Sequence, residues 1–431
     1  MKKVLVITYY WPPAGGPGVQ RWLKFVKYLR DFNAEPIVYI PKNPSYPIID
    51  ESLVTEIPLG ITILKQSIRE PYKLARLFSK KYSGNMNKGI IQQASHQTFI
   101  EKLLLFIRGN LFIPDARKTW VKPSVKFLRK YINANDIDTI ITTGPPHSMH
   151  LIGLQLKQQL KLTWLADFRD PWTTIGYHSK LKLLRFARLK HKKLEKKVLQ
   201  SADQIIVTSP TTKLEFQSIT KRPISVITNG YDVNSVNDIQ LDTKFTLAHI
   251  GTLISERNPE VLWRVISDIV KINNEFASQF QLNLVGTVSK EILKSLDTYG
   301  LTEFLNLVDY VSHEAAIRYQ KQSQILLLIE TDSEHTKCII PGKLFEYMVS
   351  NRPILAFGPR DADIAQIIRS TNTGAYFEYT EYDSLKIKLL KYFEDYKQHK
   401  LKSHPIGLKQ YNRKMLTGQL ALLINKRAKN S

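Results

Sequence analysis

The chain of 431 residues has a single cysteine, Cys338. One thiol cannot close an intramolecular disulfide, and it leaves no Cys-rich zinc site, so a reducing compartment is the expected home. No His/Cys cluster with zinc-ligand spacing occurs either. No apolar run approaches the roughly 18 residues that a spanning helix needs. The opening MKKVLVITYYWPP is too short and too soon interrupted for a signal-peptide apolar region, and reads as a first strand. A cytoplasmic protein is therefore expected. There is no G-x-G-x-x-G, and no acidic residue ends the second strand, which disfavours a dinucleotide site. Acidic residues are also scarce, 38 against 62 Lys and Arg.

That imbalance is local. Residues 65–130 hold fifteen basic side chains against Glu70, Glu101 and Asp115, and residues 180–197 hold nine against Glu195. These two windows carry +20 of the net +24. An anionic membrane surface, a nucleic acid, or no partner at all would each be compatible with such windows. Apolar residues interleaved with the charge (Leu103 to Ile107, Leu111 to Ile113) favour the membrane over nucleic acid. They are equally the pattern of an ordinary helix with one buried face.

Apolar strand-length runs alternate with segments of helical period. Strands are expected at 4–8, 36–40, 139–142, 163–166, 204–208 and 224–228. After Asp232 the pattern restarts, with strands at 245–250, 280–285, 325–329 and 353–357. Asn258 is expected to cap a helix with Pro259 at its first position and Val261, Leu262, Val265, Ile266 and Ile269 on its apolar face. A last helix is expected over 411–424. Two doubly wound α/β domains follow, with ligands at the carboxyl ends of the parallel strands.

The glycine-rich loop WPPAGGPG after VLVIT, ITNGYD (227–232), HIGTLISERNPE (249–260) and IPGKLFEYMVSNRPILAF (340–357) occur in this order along nearly the whole chain. As an ordered set they resemble glycosyltransferase family 4. The resemblance implies a GT-B fold, two Rossmann-like domains facing across a cleft. An acceptor-binding domain is expected over 1–220, a donor-binding domain over 221–405, and a returning C-terminal helix over 406–431. It also implies transfer of a sugar from a nucleotide-sugar donor to an acceptor hydroxyl, with retention of configuration.

On that resemblance Arg257 takes the place of the family's motif lysine and Lys343 is a second cation for the departing diphosphate, while Thr252 stands where arginine is common. Helix-start amides beside Lys343 would help. Glu346 matches the glutamate that holds the ribose. The family's other glutamate is replaced by Cys338, so its contact to the donor sugar is absent or supplied by Glu330, Asp332 or Glu334. Gly15, Gly16, Gly251, Gly286, Gly342 and Leu344 complete the donor-binding candidates, the glycines as positions of close backbone approach. Asp167 and Asp170 are catalytic candidates on the acceptor side, with Arg169 and His147; the plainer readings are a structural Asp–Arg pair and a loop histidine. No metal or other cofactor is expected. Asp136-Ile-Asp138 and Asp361-Ala-Asp363 match D-x-D at a frequency close to chance. The expected acceptor is a surface-polysaccharide or lipid-linked glycan, with the basic windows holding the enzyme on the inner face of the cytoplasmic membrane. The rivals are a nucleotide-sugar epimerase or hydrolase of the same fold and a non-enzymatic basic membrane-binding protein.

Overall fold

A computed structural model of the chain describes residues 1–70, 99–179, 181–232 and 239–426. The chain forms two units, Met1–Asn229 with Arg413–Ser431, and Gly230–Asn412.

The first unit is a seven-stranded, all-parallel sheet: β1 (Lys2–Ile7), β2 (Ala34–Pro41), β3 (Thr62–Gln66), β4 (Thr139–Gly144), β5 (Thr163–Phe168), β6 (Gln204–Val207) and β7 (Ile224–Val226), in the order β3-β2-β1-β4-β5-β6-β7. Helices cover both faces, so its strands read as continuous apolar runs. Alternate residues go to opposite layers. Leu5, Ile7, Ile140, Trp164 and Ile205 share one cluster, while Val4, Val6, Ile141, Leu165 and Ile206 share the other with Trp22 and Phe25. Trp22 and Phe25 lie on α1 (Pro17–Leu29).

The C-terminal helix Arg413–Asn425 completes that second layer with Leu416, Leu420 and Ile424. Each buried aliphatic side chain contributes roughly 1.5–3 kcal/mol. Because β7 pairs with β6, the first unit extends to Asn229 instead of ending at 220, and residues 406–412 stay with the second unit.

The second unit is a six-stranded parallel sheet: β8 (Phe245–Ile250), β9 (Phe280–Val285), β10 (Leu305–Val308), β11 (Ile325–Ile329), β12 (Ile354–Phe357) and β13 (Gly374–Phe377), in the order β10-β9-β8-β11-β12-β13. The helix after β8 begins at Glu260 and buries Val261, Leu262, Val265, Ile266 and Ile269. Asn258 is not its cap. Its Oδ1 accepts from the Trp263 indole at 2.7 Å and its Nδ2 donates to Ser295 at 2.8 Å. The indole N–H of the wholly buried Trp263 needs an acceptor, and that need takes Asn258 away from the helix start.

Strand order reverses between β1 and β4 in the first sheet and between β8 and β11 in the second. Such switch points leave a crevice at the carboxyl ends of the strands, where α/β sheets bind ligands.

Candidate active site

The switch point of the second sheet gathers the charged residues. Ile250 ends β8, and its carbonyl accepts from Lys343 Nζ at 2.9 Å. Glu330 follows β11 directly and is buried, with its Oε2 2.9 Å from Arg257 Nη2. Lys343 sits in the first turn of Gly342–Met348, a helix of seven residues that is too short to add much dipole, so the side-chain cations dominate.

Burial and the nearby Arg257 push the Lys343 ammonium down to about 8, against the pull of Glu330 and Glu346. Burial pushes the Glu330 carboxyl up, and Arg257 and Lys343 draw it back. Two cations thus share one buried carboxylate. The Nε of Arg257 is buried with no hydrogen-bond partner among the described residues. A site of two neighbouring cations with a spare buried donor on Arg257 suits an incoming anion.

Two glycines with positive φ pack closely beside these cations. Gly251 has φ 119° and Gly286 φ 114°. A Cβ at Gly286 would come within 2.9 Å of the Gly251 carbonyl oxygen, and one at Gly251 within 3.0 Å of Lys343 Nζ. Thr252 is exposed beside them, and Gly342 is half-buried at the helix start. Leu344 is different: its side chain lies wholly in the core.

Glu346 accepts from Gln320 Nε2 at 2.9 Å and pairs with His313 Nε2 at 3.1 Å. Both partners belong to the helix His313–Gln322, whose sequence carries no signal that it would orient a carboxylate. Cys338 is buried, a small apolar filler with its thiol toward the His335 carbonyl. Of the three acids expected to compensate for it, Glu330 is the one at the switch point. His249, one residue before the end of β8, is also buried here; burial and then Lys343 hold it well below the usual imidazole range.

The first unit answers its candidates differently. Asp167, the penultimate residue of β5, is wholly buried. Its carboxylate accepts from Arg21 at 2.8 Å and 3.3 Å, Trp22 at 2.8 Å and Thr143 at 2.9 Å. Burial alone would raise its pKa, but Arg21 and the indole and hydroxyl donors bring it below the ordinary value. With its lone pairs occupied, Asp167 is a structural anchor and not part of an open wall. The structural Asp–Arg pair exists, but the arginine is Arg21, which sequence reasoning did not single out.

Arg169 instead donates to the carbonyls of Gly144, at 3.3 Å, and Pro145. A Cβ at Gly18 would lie 1.4 Å from its guanidinium, so that glycine makes room for the arginine. Asp170 is half-buried just past the end of β5 and has no hydrogen-bond or ion-pair partner among the described residues. Burial raises its pKa, and Arg169 offsets part of that rise. Gly16, at φ 103°, opens α1, and a side chain there would meet nothing within 4 Å; Gly15 is packed against Ile48 and Asp50.

His147 is buried and stacked on Trp172, with ring centroids 4.8 Å apart. Among the described residues neither ring nitrogen has a hydrogen-bond partner, and burial, His150 and Arg169 push its pKa well below the usual range. It belongs to a cluster with His150, His178 and His191 that the scattered sequence positions did not reveal. Among the described residues no group of three or more His, Cys, Asp or Glu could hold a metal ion.

Of the basic windows, Lys73, Arg76, Lys80, Lys81, Lys88 and Lys180 lie outside the described residues. Arg117 is buried against Glu70 at 3.3 Å and is not surface charge. Among the described residues no helix is long and apolar enough to cross a membrane.

Residues 93–235 match the model of Glycosyltransferase Family 4. No curated protein matches the chain. Several solved structures share its architecture. Sucrose-phosphate synthase from Thermosynechococcus elongatus aligns with a TM-score of 0.61 at 15% identity, covering 99% of each chain. A glycosyltransferase from Rickettsia africae aligns with a TM-score of 0.61 at 12% identity, over 100% of this chain and 99% of that one. The S. aureus TarM G117R mutant in complex with fondaparinux, alpha-GlcNAc-glycerol and UDP aligns with a TM-score of 0.57 at 12% identity, over 99% and 97%. The fold is GT-B.

Proposed function

We propose that the protein is a family 4 glycosyltransferase that moves a sugar from a nucleoside-diphosphate sugar to an acceptor hydroxyl. The observation that carries this reading is the convergence of Lys343, Arg257 and Glu330 beneath Gly251 and Gly286 at the switch point of the second sheet. The match over 93–235 and the GT-B neighbours support the reaction class. The UDP in the TarM complex supports a uridine diphosphate donor ahead of a guanosine one.

In this reading Lys343 and Arg257 neutralise the diphosphate as the bond between the anomeric carbon and the phosphate oxygen breaks. Glu330 keeps the arginine in place, and Glu346, oriented by His313 and Gln320, accepts from the ribose hydroxyls. The acceptor oxygen bonds to the anomeric carbon on the face the diphosphate leaves. Its proton passes to the departing phosphate oxygen, so configuration is retained and neither a side-chain nucleophile nor a metal is required. Asp170 and His147 stand on the acceptor side. The acceptor is a surface-polysaccharide or lipid-linked glycan reached from an anionic membrane surface on the cytoplasmic side.

The test is ligand-dependent unfolding of the full chain with UDP, GDP and their sugars. A true ligand at about a hundredfold excess over Kd stabilises by about 2.7 kcal/mol. Lys343→Ala should abolish that gain, and an unchanged gain in this variant would sink the assignment. Donor turnover that ignores every acceptor would point to a nucleotide-sugar epimerase or hydrolase instead.

A further inference from the structure

We propose that the first unit docks on anionic lipid through a specific surface where the helices Phe99–Leu111 and Arg185–Ser201 meet, an inference that rests on the membrane-linked acceptor of the proposed function and gives it a place. The two helices are locked together at this point. Asn110 accepts from the Leu184 amide at 2.8 Å and donates to the Lys182 carbonyl at 3.4 Å. Gly109 is so close to the 181–183 segment that a Cβ would lie 2.7 Å from Leu183 Cδ2. Their outer sides therefore form one surface, not two.

That surface is apolar where a soluble helix should be polar. Leu103, Phe106 and Leu111 on the first helix, and Leu184, Phe186 and Leu189 at the start of the second, are all exposed; Leu111, Phe186 and Leu189 keep 60%, 55% and 59% of their surface in solvent. The second helix already buries a stripe of Ala187, His191, Glu195, Val198 and Leu199. At 100° per residue, Phe186 and Leu189 point opposite to that stripe, so they are not displaced core residues.

Cations surround them. Arg185, Arg188, Lys190, Lys192, Lys193, Lys196 and Lys197 are all exposed on this helix. Its one acid, Glu195, is buried and accepts from the Thr173 hydroxyl and amide. Lys118 donates to the Leu111 carbonyl at 2.6 Å, and Lys190 lies close enough to add to the burial that lowers its pKa. Like charges are crowded around exposed apolar side chains, with no exposed acid on the helix to balance them.

A folded protein partner would need a dense acidic surface for this rim. A bilayer with anionic headgroups supplies both halves at once, an apolar layer for Phe186 and Leu189 and negative charge at the level of the lysines. Nucleic acid would engage the lysines but leave the phenylalanines and leucines without a role.

The experiment is vesicle flotation of the full chain, comparing pure phosphatidylcholine with vesicles of about one-third phosphatidylglycerol. Binding to the anionic vesicles should be at least about tenfold stronger and should weaken with salt. F186S/L189S and K190E/K193E should each cut it about tenfold or more, since a charge at the surface is worth about fivefold. K290E/K294E, an equal charge change on an exposed helix of the second unit, should leave it unchanged.

Unfolding midpoints of the variants show that each is folded. Equal binding to both vesicle types, or full binding by F186S/L189S, would overturn the inference. So would duplex RNA that displaces the protein from vesicles and binds F186S/L189S as well as wild type. Stabilisation by UDP, measured in parallel, reports the proposed function separately: UDP binding with no vesicle preference removes only the docking surface.

Discussion

Two buried carboxylates stand at the carboxyl ends of parallel strands, one in each sheet, and each is paired with an arginine. Asp167 at the end of β5 receives hydrogen bonds from Arg21, Trp22 and Thr143, and neither it nor Arg21 is more than 2% exposed. Glu330 after β11 receives one arginine that is a quarter exposed, and a second cation, Lys343, lies close by. The first arrangement is electrostatically closed: every charge is answered from within. The second is open: Glu330 and Glu346 both draw on Lys343, yet the Arg257 Nε has no hydrogen-bond partner among the described residues. Residue types and position in the fold are nearly alike, and the number of converging donors separates the anchor from the candidate site.

The sharpest way to break this comparison is Asp167→Asn. The isosteric change leaves Arg21 buried without its counter-ion, and removing one partner of a buried pair costs about 3–5 kcal/mol. Denaturant unfolding should show that loss with or without a nucleoside diphosphate present. A variant as stable as wild type would mean that Asp167 anchors nothing.

Lys343→Ala should behave in the opposite way. Removing a cation aimed at developing charge costs about 10²–10³ in turnover, roughly 2.7–4 kcal/mol. Stability should change little, because a half-buried ammonium held near its charge limit contributes little to the fold. Steady-state transfer assays and unfolding of the same preparation separate the two effects.

The contrast was only half legible in the sequence. The central strands announce themselves because both faces are buried: Val4 to Ile7 and Ile325 to Ile329 are unbroken apolar runs. The edge strands β3, β10 and β13 were missed because they are short and half-solvated; Thr62-Ile-Leu-Lys-Gln66 mixes polar and apolar residues as a loop would. Lys343, Arg257 and Glu346 were readable from ordered motifs. Arg21 was not, because an arginine inside an amphipathic helix looks like surface charge until its partner 146 residues away folds beneath it. The histidine cluster was hidden for the same reason, since three separate segments supply it.

pH should act on the two units in different ranges, with stability rising as pH rises in each. In the first unit, burial lowers His150 to about 3 and both His178 and His191 to about 4. Between pH 6.5 and about 4 the unfolded chain binds protons that the folded one refuses, so stability falls as pH falls. The slope is about 1.4 kcal/mol per pH unit for each histidine kept neutral. In the second unit Lys343 titrates near 8, below its unfolded value, so its contribution to stability improves as pH rises through that range. Diphosphate affinity should do the reverse, weakening up to about tenfold one unit above the pKa as the ammonium loses its proton. Unfolding between pH 5 and 6.5, and UDP titration between pH 7 and 9, read the two arms. A flat acid limb would mean that the histidines are solvated.

The smallest effect sharpens the comparison most finely. Asp170 stands three residues beyond Asp167 yet lacks its partners, and burial raises its pKa where the donors around Asp167 lower that of the other. Asp170→Asn removes a charge that no hydrogen bond among the described residues satisfies but also takes a counter-charge from Arg169, so stability should change by no more than about 0.5 kcal/mol. Arg169 keeps its bonds to the Gly144 and Pro145 carbonyls in either case. If Asp170 serves the acceptor, the acceptor KM or the turnover number should worsen while UDP stabilisation stays at the wild-type level. If it is a bystander, neither moves. A clear loss of stability would instead place Asp170 in the same closed class as Asp167, and the distinction between the two carboxylates at the end of β5 would disappear.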